Sequence, residues 1–315
     1  VLTMSVRKSV VDVLVDAGAL DAVGVFSRTE SANFSCVDEF GVNTDFITRG
    51  GDRLGIYFLE KGASQRGSLC IYDRKNSAFA ESSLSDYDWN KIFDEAKWFH
   101  VTGVTPALSK KTAELTLIAC KEAKKRGITV SCDLNYRSKL WTKIQARKFM
   151  TSLAPFVDVC ITNEEDALNV FGIKTHKTDV DSGIIEKAAY IKTAEELKKK
   201  LGFKIVAITL RQSINADNNN WSALLYDGKE VVFSREYSIH IVERVGSGDA
   251  FAGALICGLI KKNQKDDNFK TNQQVIEFAS AAGCLKHTVE GDFNQVSVDE
   301  VLRLVNSEGT GRVSR

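Results

Sequence analysis

The chain has 315 residues, 43% of them hydrophobic and 26% charged, with 42 Lys+Arg against 41 Asp+Glu for a formal charge of +1. Such a composition excludes a disordered chain and gives no global pull toward nucleic acid or a membrane surface. Seven scattered cysteines without a CxxC pair, and four histidines (His100, His176, His240, His287) without metal-ligand spacing, exclude a zinc site and fit a reducing, cytoplasmic setting.

The N-terminal VLTMSVRKSVVDVLVD lacks the apolar core of a signal peptide, and no later apolar run nears the roughly 20 residues a membrane span needs. Residues 53–60 (RLGIYFLE) and 69–72 (LCIY) read as two strands joined by the turn-rich KGASQRGS, a hairpin-like flap. After Pro106, helices alternate with short apolar strands. LSKKTAELTLIACKEAKKRG has helical spacing and ends on a basic turn and a glycine, and ITVSCDLN follows as a strand. VDVCITN is a strand leading into a helix EEDALNVFG, and AEELKKKLG is a helix before the strand KIVAITL. WSALLYDGKEVVFS reads as two strands about an Asp-Gly turn. Long helices follow Asp249 and cover VIEFASAAGCLKHTVEG, with a last one at VDEVLRLVN. Segments 173–184, 212–220 and 262–272 read as polar, mobile loops. Repeated strand–helix units imply a parallel sheet with helices on both faces.

Ligands of open α/β sheets bind beyond the carboxyl ends of strands. Three polar clusters fall there: DLNYR after ITVSC, NEED after VDVCI, and TLR after KIVAI. Each alone is as consistent with a helix cap as with a site. The segment Gly246-Ser247-Gly248-Asp249 stands just before a long apolar helix. Its glycines allow close backbone approach, and a helix start offers N–H groups to a phosphate. An acid there would repel phosphate, so Asp249 either caps the helix or takes a proton from an attacking hydroxyl. A dinucleotide fingerprint is excluded because Phe251 fills the third glycine position late in the chain, and no GxxxxGK[ST] exists.

VGSGDAFAG resembles the C-terminal signature of ribokinase-like (PfkB) carbohydrate kinases, and ITNEEDALNVFG resembles their Asn-x-x-acid motif. RGGDRLGIYFLEKGASQR, YDRKNSAFA, FHVTGVTPALS, CDLNYRSKLW, NNNWSALLYDG and CLKHTVEGDFN are similar to the 2-keto-3-deoxygluconate kinase branch, in order from about Phe34 to the C-terminus. The resemblance implies an α/β fold: a ribokinase-like three-layer αβα core with a mostly parallel sheet and a small β-lid, the lid within 50–80 of one 1–315 domain. It implies ATP with Mg²⁺, admits a monovalent cation, and implies phosphoryl transfer to a sugar acid, with no nucleic-acid or membrane partner and a homo-oligomer as an option. Carried over by position, Asp249 is the general base and Gly246, Ser247 and Gly248 form the anion hole. Asn163 and Asp166 organise the metal, with Glu164 and Glu165 as equally acidic neighbours, and Thr209 and Arg211 lie near the nucleotide phosphates. Tyr57, Tyr72, Arg74, Asn135 and Arg137 hold the sugar acid, and Asn294 borders the adenine.

Members of this family usually begin with a strand carrying Gly-Glu or Gly-Asp, then a Gly-Gly-x-x-x-Asn segment that grips the sugar. Here VVDVLVDAGALDAVGVF resembles the helix and strand after that segment, and Ser5, Val6 and Val10 stand where its Gly-Gly and Asn would fall. The N-terminal core strand and part of the lid are therefore expected to be absent, through truncation of an active kinase or through degeneration. Glu243, before Arg244, replaces a usual aspartate. A fructokinase or other sugar kinase of the superfamily, and a nucleotide-binding relative without turnover, are the competing readings.

Overall fold

Apolar strands that each feed an amphipathic helix can bury themselves only in a sheet covered on both sides. The computed structural model describes residues 4–7, 22–24, 43, 45–48, 50–174, 187–291 and 293–307 and has this architecture. Its strands are β1 (Met4–Arg7), β2 (Ala22–Gly24), β3 (Ile56–Glu60), β4 (Leu69–Asp73), β5 (Ala96–Thr102), β6 (Thr129–Asp133), β7 (Val159–Asn163), β8 (Ile205–Ser213), β9 (Asn218–Tyr226), β10 (Val231–Phe233) and β11 (Tyr237–His240). The main helices are α1 (Val104–Leu108), α2 (Lys110–Lys125), α3 (Lys143–Leu153), α4 (Lys187–Leu201), α5 (Ser247–Asn263), α6 (Asn272–Lys286) and α7 (Val298–Asn306).

β5, β6, β7 and β8 run parallel in that spatial order. β9 returns antiparallel to β8 and carries β10 and β11 on its other edge. At the opposite edge β1 pairs antiparallel with β5, and β2 with β1. Ser5 and Val6 lie within β1, opposite Phe99 and Trp98, so no Gly-Gly-type turn forms at those positions. A strand thus does border β5, but no parallel N-terminal strand extends the run among the described residues. Val10, and all of VVDVLVDAGALDAVGVF except the β2 residues Ala22–Gly24, lie outside the described residues.

Side chains alternate across the sheet, as a period of two requires. Cys160, Val206 and Ile208 join α2, α3 and α4 in one core, while Val159, Ile161 and Ala207 join α5, α6 and α7 in the other. α5 is apolar nearly all round: Phe251 and Leu255 are fully buried, and Gly258 lets Val275 and Phe269 pack close against it. A fully buried Phe or Leu contributes roughly 1.5–3 kcal/mol. The first turn of α5 is consequently anchored by the core.

The flap is the separate sheet β3–β4, with Tyr57 opposite Tyr72. Two expectations need correction. The segment 212–220 is not a long loop, because β8 continues to Ser213 and β9 starts at Asn218, which leaves only four residues to turn. EEDALNVFG is not one α-helix, but a turn at Glu164–Asp166 followed by a π-helical turn at Ala167–Phe171 that ends on left-handed Gly172. The predicted loop 173–184 lies largely outside the described residues.

Candidate active site

Register sets the strand ends side by side. Thr102 at the end of β5 pairs with Asp133 at the end of β6, and Asn163 at the end of β7 pairs with Thr209 in β8. The chain leaving β6 turns sharply. Asn135 has φ 39°, in the left-handed region that asparagine tolerates better than most residues. Asp133 Oδ1 accepts the Asn135 N–H at 3.2 Å, and Asn135 Nδ2 donates to Thr102 Oγ1 at 3.0 Å. This turn sends Arg137 toward the flap, where its charge acts on Tyr72 and Arg74.

On the flap, the Arg74 guanidinium lies 4.6 Å from the Tyr72 ring centroid, and the Tyr57 and Tyr72 rings are 6.4 Å apart. Burial pushes the Tyr72 hydroxyl up and the Arg74 guanidinium down, and Arg137 lowers Arg74 further by like-charge repulsion. Lys139 Nζ donates to the Cys70 carbonyl at 2.9 Å, tying β4 to the core beside this cluster. Tyr57, Tyr72, Arg74 and Arg137 are therefore brought together where the flap meets the chain leaving β6, while Asn135 is tied back to Thr102 and Asp133 at the strand ends.

Behind them three carboxylates share one electrostatic neighbourhood. Asp133 is pushed up to about 8, chiefly by burial, with repulsion from Asp166 and Asp249 adding and Arg137 opposing. Asp166 is buried and raised to about 6, again by burial first, with Arg137 and the Tyr136 N–H pulling it back. Its oxygen Oδ2 accepts Asn163 Nδ2 at 3.2 Å, and Asn163 Oδ1 accepts the Asp166 N–H at 2.8 Å. The Asn-x-x-acid motif is thus a self-capped turn. Glu164 Oε2, by contrast, is buried without a hydrogen-bond partner, and the Glu164 carboxyl is raised by burial while Arg211 opposes.

The start of α5 differs from an ordinary cap. Gly246 holds the N-cap with φ 85°, a conformation costly for other residues, and as a glycine it brings no capping side chain of its own. Asp249 is the third residue of α5 rather than its cap, and it is exposed. A Cβ added at Gly248 would meet no protein atom within 4 Å, so open space faces the helix start. Ser247 is buried, and its hydroxyl donates to the Arg244 carbonyl at 3.1 Å. Arg244 and Arg211 repel one another near this loop, and burial depresses Arg244 before that repulsion adds to it. Two guanidiniums, bare helix N–H groups and open space suit an anion.

Asn294 stands further along the chain, and its Oδ1 accepts the Val296 N–H at 3.4 Å. Seven residues earlier, the His287 carbonyl accepts the N–H groups of Val242 and Glu243 at 2.8 and 3.1 Å, and no described hydrogen bond joins Asn294 itself to the site. The fully buried Lys286 holds the same segment by donating to the carbonyls of Val289 and Gly291. The sequence reading missed Asp133 and Arg244 as site residues. The first was hidden in DLNYR and the second was noted only beside Glu243, and neither carries a motif of its own. Among the described residues no three His, Cys, Asp or Glu side chains converge into a metal cage.

The pfkB family carbohydrate kinase model matches residues 13–297. A 2-dehydro-3-deoxygalactonokinase of Haloferax volcanii is 31% identical over 259 residues, which cover 82% of this chain and 72% of that protein. The crystal structure of a 2-dehydro-3-deoxygluconokinase from Thermotoga maritima is 46% identical, with a TM-score of 0.83 over 92% of this chain and 85% of its own. A fructokinase from Xylella fastidiosa with bound ATP shares the fold at a TM-score of 0.64 and 19% identity, over 87% of this chain and 80% of its own.

Proposed function

The chain belongs to the pfkB family of carbohydrate kinases, and from that premise we propose that it moves the γ-phosphoryl group of ATP to the terminal hydroxyl of a 2-keto-3-deoxy sugar acid. The preferred substrate is 2-keto-3-deoxygluconate (2-dehydro-3-deoxygluconate), giving 2-keto-3-deoxy-6-phosphogluconate. The whole chain acts as one catalytic unit, with β3–β4 as its lid. One observation carries the sugar-acid reading: Arg74, directly after the lid strand β4, and Arg137, beyond β6, are near enough for their like charges to oppose each other. A substrate carboxylate relieves that repulsion through paired N–H bonds, which a neutral sugar cannot do. Tyr57 and Tyr72 supply the wall, and Asn135 closes it.

Asp249 takes the proton of the terminal hydroxyl. That oxygen attacks the γ-phosphorus, the bond to the β-phosphate oxygen breaks, and ADP leaves with the electron pair. The N–H groups at Gly246–Gly248 face the charge that develops on the transferring group, while Arg211 and Thr209 hold the remaining phosphates. Asp133, protonated around neutrality, spares the cluster it forms with Asp166 and Asp249 a third negative charge. Mg²⁺ would supply further charge neutralisation at the phosphates. The unpartnered buried oxygen of Glu164, beside Asn163 and Asp166, fits a hard cation and its waters. Whether K⁺ adds anything is read by titrating it into the assay. The outer lid face carries Ile56, Phe58, Leu69 and Ile71, exposed at 42, 58, 46 and 54%. A second copy of the chain would cover them, a state that sedimentation reads directly.

Asp249→Asn tests the core of this assignment. It is predicted to cut kcat ~10²-fold or more and to leave the affinity for ADP within about threefold, because the anion hole is backbone. Near-normal turnover would remove Asp249 as the base.

A further inference from the structure

The connection between β3 and β4, residues 61–68, does not hang free over the site. Gly62 allows its tight entry, since a Cβ there would come within 2.2 Å of the Arg66 carbonyl. Ser64, at its tip, has φ 53°, a left-handed conformation that a non-glycine residue keeps only when its surroundings hold it. Both backbone groups of Ser64 are so held. Its N–H donates to Asp217 Oδ2 at 2.7 Å, and its carbonyl accepts the Ala216 N–H at 2.8 Å. Residues 214–217 are the turn that follows Thr209 and Arg211 in β8, and Arg244 Nη2 donates to the Asn215 and Ala216 carbonyls at 2.8 and 2.9 Å.

The second attachment is ionic. Lys61 Nζ lies 3.3 Å from Glu243 Oε2 and 3.4 Å from the Val242 carbonyl. Glu243 is buried, and its other oxygen, Oε1, accepts the N–H groups of Arg244 at 2.8 Å and Val245 at 3.3 Å. One carboxylate therefore shapes the chain entering Gly246 with one oxygen and grips the lid with the other.

We propose that Lys61 and Glu243 are positioning residues that clasp the lid connection 61–68 to the loop forming the anion hole, so that the sugar side and the nucleotide side of the site close as one unit. The clasp rests on the assignment of Gly246–Gly248 to the phosphates, and it predicts a message between halves. Phosphate oxygens that order residues 244–248 also order Glu243, hence Lys61, hence the strands carrying Tyr57, Tyr72 and Arg74. Ion pairs with one exposed partner are modest, so the expected effect is about two- to fivefold.

Hydrogen–deuterium exchange of peptides covering residues 56–73 tests this in the full chain, without ligand and with the non-hydrolysable AMP-PNP and Mg²⁺. In the ligand-free protein, Lys61→Met should speed lid exchange about two- to fivefold and Lys61→Arg should restore it. With AMP-PNP, the parent protein should gain lid protection and Lys61→Met should not, while the affinity of Lys61→Met for AMP-PNP falls by no more than that same factor. The double variant Lys61→Met/Glu243→Gln should be no worse than the more severe of the two single ones, as for partners in one contact. Unchanged lid exchange in ligand-free Lys61→Met would overturn the clasp. Equal nucleotide-induced protection in both proteins, or none in the parent, would overturn the coupling. No sugar acid enters the experiment, so the substrate assignment and the clasp fail separately.

Discussion

Asp133 and Asp249 separate two roles that carboxylates can take in one site. Burial and two acidic neighbours keep a proton on Asp133, whereas Asp249 stands exposed on a helix turn whose cap belongs to Gly246. Asp133→Asn copies the protonated acid and is predicted to keep kcat within about threefold, against the ~10²-fold loss for Asp249→Asn. A loss of similar size in both variants would make Asp133 part of the proton relay. The segment Gly-Ser-Gly-Asp was visible in the chain as a candidate anion site, and the structure puts Gly246, not Asp249, at the N-cap position. Asp133 could not be read in advance, because aspartate is common at strand ends and only the fold brings residues 133, 166 and 249 together. Glu164 was legible only as one acid among three. Its unpartnered oxygen appears once Asp166 is seen to be tied to Asn163.

The strand–helix alternation from β5 to α4 was legible because each element keeps its hydrophobic period, two in strands and 3.6 in helices. The run 218–220, three asparagines, carried no such signal. It is a strand because β8 and β11 both pair with it, a tertiary choice that local propensity does not encode. The π-helical turn after Asp166 was equally invisible, since EEDALNVFG has ordinary helical composition. The entry to β7 depends on one acid. Asp158 is buried, accepts the Val130 N–H at 3.0 Å, and pairs with Lys124 at 2.7 Å and Lys204 at 2.9 Å. Burial works against its charge, yet these donors hold its carboxyl below the usual range. Asp158→Asn is predicted to cost about 2–3 kcal/mol in urea denaturation, short of the 3–5 of a fully buried pair because Lys204 is largely exposed. A cost below about 0.5 kcal/mol would show that the lysines add nothing to the β6–β7 packing.

Across the whole molecule, buried groups of opposite sense face each other in the pH balance. Burial depresses His100 and His287 to about 4, so the unfolded chain binds more protons at these sites between about pH 4 and 6.5, and stability rises with pH there. Asp133 and Asp166 are raised to about 8 and about 6, so the folded chain binds more protons at them, and their contribution falls as pH rises. The comparison of variant with parent isolates Asp133: from pH 5 to 6, metal-free Asp133→Asn should gain stability steadily relative to the parent. Parallel profiles in the two proteins would mean that Asp133 ionises normally. The same cluster draws together the strand ends and α5, and the proposed choice of substrate turns on the arginine pair beside it. The direct test is initial-rate phosphorylation with ATP and Mg²⁺ on 2-keto-3-deoxygluconate, its C4 epimer 2-keto-3-deoxygalactonate, fructose and ribose. A substrate carboxylate seated on Arg74 and Arg137 predicts kcat/KM at least ~10²-fold higher for a 2-keto-3-deoxy acid than for either neutral sugar, with 2-keto-3-deoxygluconate ahead of its epimer. A kcat/KM on fructose equal to or above that on both acids would contradict it.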